Sequence, residues 1–578
     1  MSLRPILTLF TLTLLTSSLR VVSTPIQTAA VQFPKSQATN VSPDTHLVLT
    51  FPQPPTVGRA GEIRVYDQAG GALVDRLDLS IPAGPAGRPG RGAAPAGTPP
   101  TAYQKAIIGG FTEGFHFYPI IVHDRTVTIT LHPGVLKYGR GYYVEIDPGV
   151  IGLSGTEGFA GFHGPKAWTF RTRSAPPPAN AMRIVVAADG SGDFATVQGA
   201  VDFVPNNPRR RVTIFIRSGR YEEIVYFRNK HDITFLGEDR DAVVIGYANN
   251  ENFNGPPQGV GTNELPGTFP YRRASFMADA STGIHLVNLT LRNFTPQGGS
   301  QAEALLLMGG RNIVSHVSAF SYQDTVQFND SVYVADSLIE GETDFLWGRG
   351  PAFFEWTTLR ELSNSPYMWV RSTSASHGFV FVASRFETTG STGTGPFLAR
   401  NTAQYPNSEI VVIDSMLGRI NPAAWSLPEN PGQIRYWESG SIDLETGRPA
   451  DIGRRHPASR QLDRDRDAAV LSRYRDPAFV FGGWTPEMAP IFIDSPKASA
   501  ETTGGTVALT AKIAAIPAAA IEWRHDGKVV VDDGRVTGAR TSTLTISRFS
   551  RTDAGRYSAV ASNSAGRAES AAATLTLR

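Results

Sequence analysis

Apolar positions along this chain recur mostly in short runs with a period of two, as half-buried strands require. The runs LVLTF (47–51), EIRVYD (62–67), VTITL (127–131), YYVEI (142–146) and AWTFRT (167–172) predict a strand-rich first block. Within it, a Pro-, Gly- and Ala-rich stretch at 83–100 predicts a mobile loop. The segment Ser174-Ala-Pro-Pro-Pro-Ala179 closes the block as a stiff linker. A new pattern follows. Ile184–Ala187 reads as a strand and Asp189-Gly-Ser-Gly-Asp193 as a turn. Val197, Ala200, Val201 and Val204 then fall at i, i+3, i+4 and i+7, which predicts a short amphipathic helix ended by Pro205. Short strands recur beyond it: VTIFI (212–216), ITFLG (233–237), IHLVNLTLRN (284–293), GFVFVASRF (378–386) and EIVVIDSML (409–417). From about Asp494 the alternation returns in TVALTA (506–511), AIEWRHDGK (520–528) and TSTLTIS (541–547). The division predicted is 25–173, a linker at 174–182, 183–490, and 491–578.

Inside the middle block two stretches align without gaps, His316–Asp324 (HVSAFSYQD) and Asp336–Asp344 (DSLIEGETD), offset by 20 residues. Both place small or apolar residues at the same positions, and both end in Asp. A strand–turn repeat of this length is the signature of a parallel β-helix. Residues at equal positions in successive coils stack, with strands about 4.8 Å apart. Asp324 and Asp344 are therefore expected to face each other across one rung. Two carboxylates that close do not both ionise easily, and one is pushed toward its protonated form. A general acid beside a nucleophile or base suits hydrolysis of an ester or of a glycoside, and the physics alone does not choose between them. Aspartates in such turns can also simply cap backbone amides.

Composition narrows the classes. With 41% hydrophobic and 18% charged residues over 578 positions, the chain is globular material, enough for three or four domains at about 100–200 residues each. Lys+Arg 54 against Asp+Glu 52 leaves +2, which argues against a nucleic-acid binder driven by bulk charge. The absence of cysteine excludes disulfides, thiolate metal sites and Cys nucleophiles, but not export. At the N-terminus one positive charge in Met1–Arg4, an apolar run over Pro5–Leu15 and small residues up to Thr24 predict a secretion signal over 1–24. No run reaches the roughly 20 apolar residues of a membrane span. An exported, soluble protein is expected, secreted to the extracellular space or the periplasm.

Motifs then carry resemblances. VAADGSGDFATVQGAVDFVP (186–205), SQAEALLL (300–307), YQDT (322–325) and GETDFLWG (341–348) resemble the pectin methylesterases, and the likeness spans most of 183–420. It implies a right-handed parallel β-helix that removes methyl esters from galacturonate units of pectin, releases methanol and needs no metal or other cofactor. Carried over by motif, Asp344 would be the nucleophile and Asp324 the acid, then the base. Gln323 and Gln301 would donate hydrogen bonds to the oxyanion, and Arg400 would orient Asp344 and hold its charge. Trp347 would stack on a sugar face. Tyr322 and, more loosely, Trp425 are further candidates for the substrate groove. The stretch ATNVSPDTHLVLTF (38–51) resembles bacterial Ig-like domains of surface proteins and secreted hydrolases. The last block resembles an immunoglobulin sandwich, with Trp523 as its buried Trp and Asp553-Ala-Gly-Arg-Tyr557 as its tyrosine corner. Ala511 and Ala559 stand where antibody domains carry cysteines, so packing must replace the bridge. Trp523 and Tyr557 are read as core. The expected fold class is all-β: a parallel β-helix between two Ig-like sandwiches.

One departure bears on substrate. In the family the arginine follows a Leu-Gly pair and precedes Pro-Trp, whereas here Ala399 precedes Arg400 and Asn401-Thr402 follow it. One wall of the groove is altered or supplied elsewhere. The open alternatives are an esterase on another acylated sugar, a polygalacturonase-type glycosidase or pectate lyase on the same fold, and a non-catalytic wall-binding protein whose Ig-like flanks contact polysaccharide.

Overall fold

A computed structural model of the chain describes residues 30–85, 102–153, 159–255, 272–390 and 393–578. The secretion signal expected at 1–24 and most of the loop expected at 83–100 lie outside the described residues.

The first block is a two-sheet sandwich. Val31–Phe33, Leu47–Thr50, Thr126–Ile129 and Ile120–His123 form one sheet, and Ala38–Val41, Thr169–Thr172, Gly141–Ile146, Glu62–Asp67 and Leu73–Asp78 the other. The period-two pattern has its physical cause here: Leu47, Leu49, Val127 and Ile129 turn inward to meet Ile63, Val65, Tyr142 and Val144.

The middle block is a parallel β-helix. Among the described residues its strands stack into three parallel sheets of 11, 9 and 8 strands, each strand pairing with its counterpart one coil on. The helix expected after the first turn spans Val197–Phe203, with the Thr196 side chain accepting from Gly199 N at its N-cap. The 8-stranded sheet positions the chemistry. Its inward column, Val225, Phe276, Leu305, Val326, Leu346 and Met368, fills the interior of the helix. The residues between them point out. On the first coils these are Tyr226, Met277 and Leu306, and further along Gln327, Trp347 and Trp369.

That outward face explains where the first sandwich sits. Tyr226, Met277, Leu306 and Met308 belong to the same apolar cluster as the sandwich core. Polar contacts fix the docking. Asp44 accepts from Ala195 N at 3.0 Å, Thr196 N at 2.8 Å and Thr196 Oγ1 at 2.8 Å, and Asn254 Oδ1 accepts from His116 N at 2.8 Å. The sandwich thus covers the apolar start of the sheet, and its apolar cluster extends along the outward face to Trp347, with Trp369 packed at its margin.

At the far end, the short helices Ala468–Tyr474 and Pro477–Val480 pack on the outer face of the 11-stranded sheet through Leu471, Tyr474 and Val480. The C-terminal block is an immunoglobulin-type sandwich. Trp523 is fully buried, its Nε1 donates to Thr541 O at 2.9 Å, and Tyr557 Oη donates to Asp553 O at 2.9 Å, the tyrosine corner read in the sequence. Trp523 pairs across strands with Ala559, and Ala511 is buried in the same core, so small side chains close the space a disulfide would span.

Candidate active site

The site is built by register. Leu305, Val326, Leu346 and Met368 lie side by side on four successive coils. Two residues before the first three of them stand Glu303, Asp324 and Asp344, which form one column at the sheet's edge. Asp324 and Asp344 both adopt left-handed backbone, at φ 65° and 49°, a conformation that a short polar side chain tolerates better than most. The turns are tied coil to coil, Asp324 N donating to Thr343 O at 3.2 Å and Asp344 N to Pro366 O at 2.9 Å.

The two aspartates have unlike partners. Arg400 grips Asp344, with Nε donating to Oδ1 at 2.9 Å and to Oδ2 at 2.8 Å and Nη2 reaching Oδ2 at 2.5 Å. Asp344 is 3% exposed, so this fork is its main neutraliser. Asp324 Oδ2 instead accepts from Arg273 Nη2 at 2.8 Å. Arg273 is already committed: Nε and Nη2 donate to Glu303 at 2.7–2.9 Å, and Nη1 donates to Glu251 at 2.7 Å. Burial pushes the Asp324 carboxyl up. Arg273 pulls it down, Glu303 and Asp344 push it up again, Arg371 pulls it down, and the result stands at about 8. Burial alone would lower Arg273, but Glu303 and Asp324 outweigh it and hold the guanidinium well above its ordinary value. At neutral pH the column therefore carries one protonated aspartate beside an arginine-held one.

A cavity of about 400 Å³ opens over the pair. Gln301, Gln323, Trp347, Trp369, Arg371 and Tyr405 line it together with the charged groups. The Arg371 guanidinium lies over the rings of Trp347, at 4.5 Å, and Trp369, at 3.8 Å, and that of Arg400 over Trp369 at 3.7 Å.

Of the residues expected from sequence, the structure brings Asp324, Asp344, Gln301, Gln323, Arg400 and Trp347 to this cavity. It does not bring Tyr322 or Trp425 there. Tyr322 stays in the turn behind Asp324, its carbonyl accepting from Glu342 N at 2.7 Å. Trp425 is in register with Ala399, an inward position, so parity sends the indole into the helix interior against Tyr436 at 5.0 Å. Arg273, Glu303, Glu251, Arg371, Trp369 and Tyr405 went unread in the sequence. Glu303 could have been found by extending the Asp column one coil back, and Trp369 by extending the Trp347 position one coil forward. Asn401 and Thr402 start a tight turn, Asn401 Nδ2 donating to Tyr405 O at 2.9 Å and Tyr405 N to Thr402 O at 3.1 Å. That turn delivers Tyr405 to the cavity, edge-on to Trp369 at 5.7 Å. These two rings form an aromatic wall beside the departure from the family motif.

Residues 183–430 match the family model described as Pectinesterase, and residues 490–577 that of the Immunoglobulin I-set domain. A pectinesterase of Arabidopsis thaliana is 29% identical over 328 residues, covering 54% of this chain and 82% of that protein. A pectinesterase of Ralstonia solanacearum is 30% identical over 275 residues, covering 40% of this chain and 69% of the relative. Among solved structures, a pectin methylesterase from carrot aligns over 52% of this chain and 93% of its own, at 22% identity and a TM-score of 0.42.

Proposed function

This chain belongs to the pectinesterase family, and from that premise we propose how its site works. It is a carboxylic ester hydrolase that removes methyl esters from pectin. The observation that carries the mechanism is the stacked pair of aspartates with unlike partners, Arg400 on Asp344 and a buried, proton-holding environment around Asp324.

A carboxylate oxygen of Asp344 attacks the ester carbonyl carbon, and the carbonyl electrons move onto its oxygen. Gln301 and Gln323 both line the cavity, and in this reading their amide N–H groups stabilise that oxyanion. Collapse breaks the bond to methoxide, which leaves with the proton of Asp324. Water then attacks the galacturonyl acyl carbon while Asp324, now ionised, takes one of its protons, and the bond to Asp344 breaks, regenerating its carboxylate and freeing the galacturonic acid. Charge supports this sequence. Arg273, Arg371 and Arg400 face Glu251, Glu303, Asp324 and Asp344, so one proton on Asp324 makes the set neutral. The acyl-enzyme is neutral too, with Asp344 acylated as a mixed anhydride and Asp324 ionised. Only the product, once its acid proton passes to solvent, adds an unmatched negative charge, which favours its release. Trp347 is 1% exposed with Arg371 over its ring, and Trp369 has Arg371 and Arg400 over its own, so the half-buried Tyr405 offers the more open aromatic face for a sugar ring.

The substrate assigned is a methyl-esterified polygalacturonate, and export of the chain goes with it. No helix among the described residues is long and apolar enough to cross a membrane. The test is the product. Incubated with highly methyl-esterified homogalacturonan, the full chain is expected to release methanol with no gain in reducing or unsaturated ends. New chain ends would turn the reading to a glycosidase or a lyase. A folded chain that releases no methanol would turn it to another acylated sugar, with the Trp369–Tyr405 wall as the reason.

A further inference from the structure

Asp324 poses a physical problem for its own role. A guanidinium that donates to a carboxylate at 2.8 Å ordinarily keeps that carboxylate ionised, and an ionised Asp324 has no proton to give. The resolution lies in what else Arg273 holds. Glu303 is wholly buried, receives three of the Arg273 hydrogen bonds, and stands one coil behind Asp324 in the same column. Glu251, at the head of the short helix Glu251–Asn254, takes the remaining arm. One cation thus serves two carboxylates before it reaches Asp324.

Geometry also bears on which oxygen carries the proton. Arginine keeps all its protons in proteins. Asp324 Oδ2 accepts from that N–H, and the carbonyl oxygen of a neutral carboxyl is the stronger acceptor, so a neutral Asp324 favours its hydrogen on Oδ1.

We propose that Arg273, clamped by Glu303 and Glu251, is a positioning residue for Asp324: it fixes the transferable proton on Oδ1, and Glu303 neutralises it so that Asp324 can hold that proton at all. This rests on Asp324 being the acid of the reaction. The charged groups around Asp324 are Arg273 ahead of strand Phe276–Asp279, Glu303 ahead of Leu305–Met308, Asp344 ahead of Leu346–Gly348 and Arg371 after Met368–Val370. Glu251 acts through Arg273, and Arg400 through Asp344.

The test is the pH profile of kcat/KM for methanol release. In the wild type the alkaline limb reports loss of the Asp324 proton. Glu303→Gln keeps an acceptor for Arg273 but frees its charge for Asp324, so the limb is expected to move to lower pH by about 1 unit. In Arg273→Gln/Glu303→Gln the cation is gone as well. The limb returns toward the wild-type position, while kcat stays low because nothing assigns the proton to Oδ1, and KM is unchanged. A limb that does not move in folded Glu303→Gln overturns the proposal. Should that variant not fold, Glu251→Gln at the partly open rim is expected to shift the limb the same way by less, and no shift there overturns it equally. Asp324→Asn separates the two layers. If it keeps the wild-type limb, Asp324 is not the acid and the underlying reading fails. If it loses the limb while Glu303→Gln leaves it in place, only the Arg273–Glu303 role fails.

Discussion

Asp344→Asn is expected to leave a folded protein and to lower kcat for methanol release on the order of 10⁴–10⁶-fold, the scale seen when an enzyme loses its nucleophile. The amide keeps the size of the side chain and one acceptor oxygen for Arg400, so the turn and the coil packing persist. What disappears is the ionised oxygen that attacks. Because Arg400 is about one-third exposed, with 33% of its side chain accessible, water compensates for its lost partner and the cost in stability is small. Far-UV circular dichroism and the melting temperature check the fold, and a methanol assay checks the rate. A variant within tenfold of the wild type would place the nucleophile elsewhere.

Asp324→Asn is expected to lower kcat by about 10²–10⁴-fold, the range for a missing general acid–base. Its pH behaviour is the sharper sign. Burial raises the wild-type carboxyl to about 8, so the proton is present below that pH and lost as the pH rises through it. Wild-type kcat/KM should therefore fall above about pH 8, whereas the residual rate of the variant should show no break there. A break at the same pH in the variant would assign it to a different group.

Both residues were legible in the sequence because they repeat. The 20-residue offset that aligns Asp324 with Asp344 is the coil length read directly, and the structure keeps it as Val326 beside Leu346. The next coils are less regular. Leu346 pairs with Met368 and Met368 with Ala399, offsets of 22 and 31, because loops intrude between strands. That irregularity hid the parity of Trp425. An indole near the arginine motif looked like part of the groove, yet its place beside the inward Ala399 makes it core. The Arg273 bracket was hidden for another reason. Its carboxylates come from a short helix and from the strand column, and only folding brings Glu251, Glu303 and Asp324 around one guanidinium. The strands of the flanking sandwiches were readable from alternation, and their Ig-like character from the resemblances at 38–51, Trp523 and Asp553–Tyr557. What alternation did not reveal is that the first of them shares its core with Tyr226, Met277 and Leu306 of the helix, since those outward apolar residues sit in strands already apolar on their inner face.

The measurement that bears most directly on the covalent mechanism is capture of the acyl group by hydroxylamine during turnover of a methyl-esterified oligogalacturonide. Attack of its nitrogen on the acylated Asp344 forms the C–N bond, breaks the bond to the aspartate oxygen and yields a galacturonyl hydroxamate. The expected result is that hydroxamate forms in proportion to added hydroxylamine, at the expense of free carboxylate, while each captured acyl group is matched by one methanol, and that Asp344→Asn gives neither product. Methanol release with only free carboxylate at every hydroxylamine concentration would mean that water attacks the ester directly, and that Asp344 is not the nucleophile.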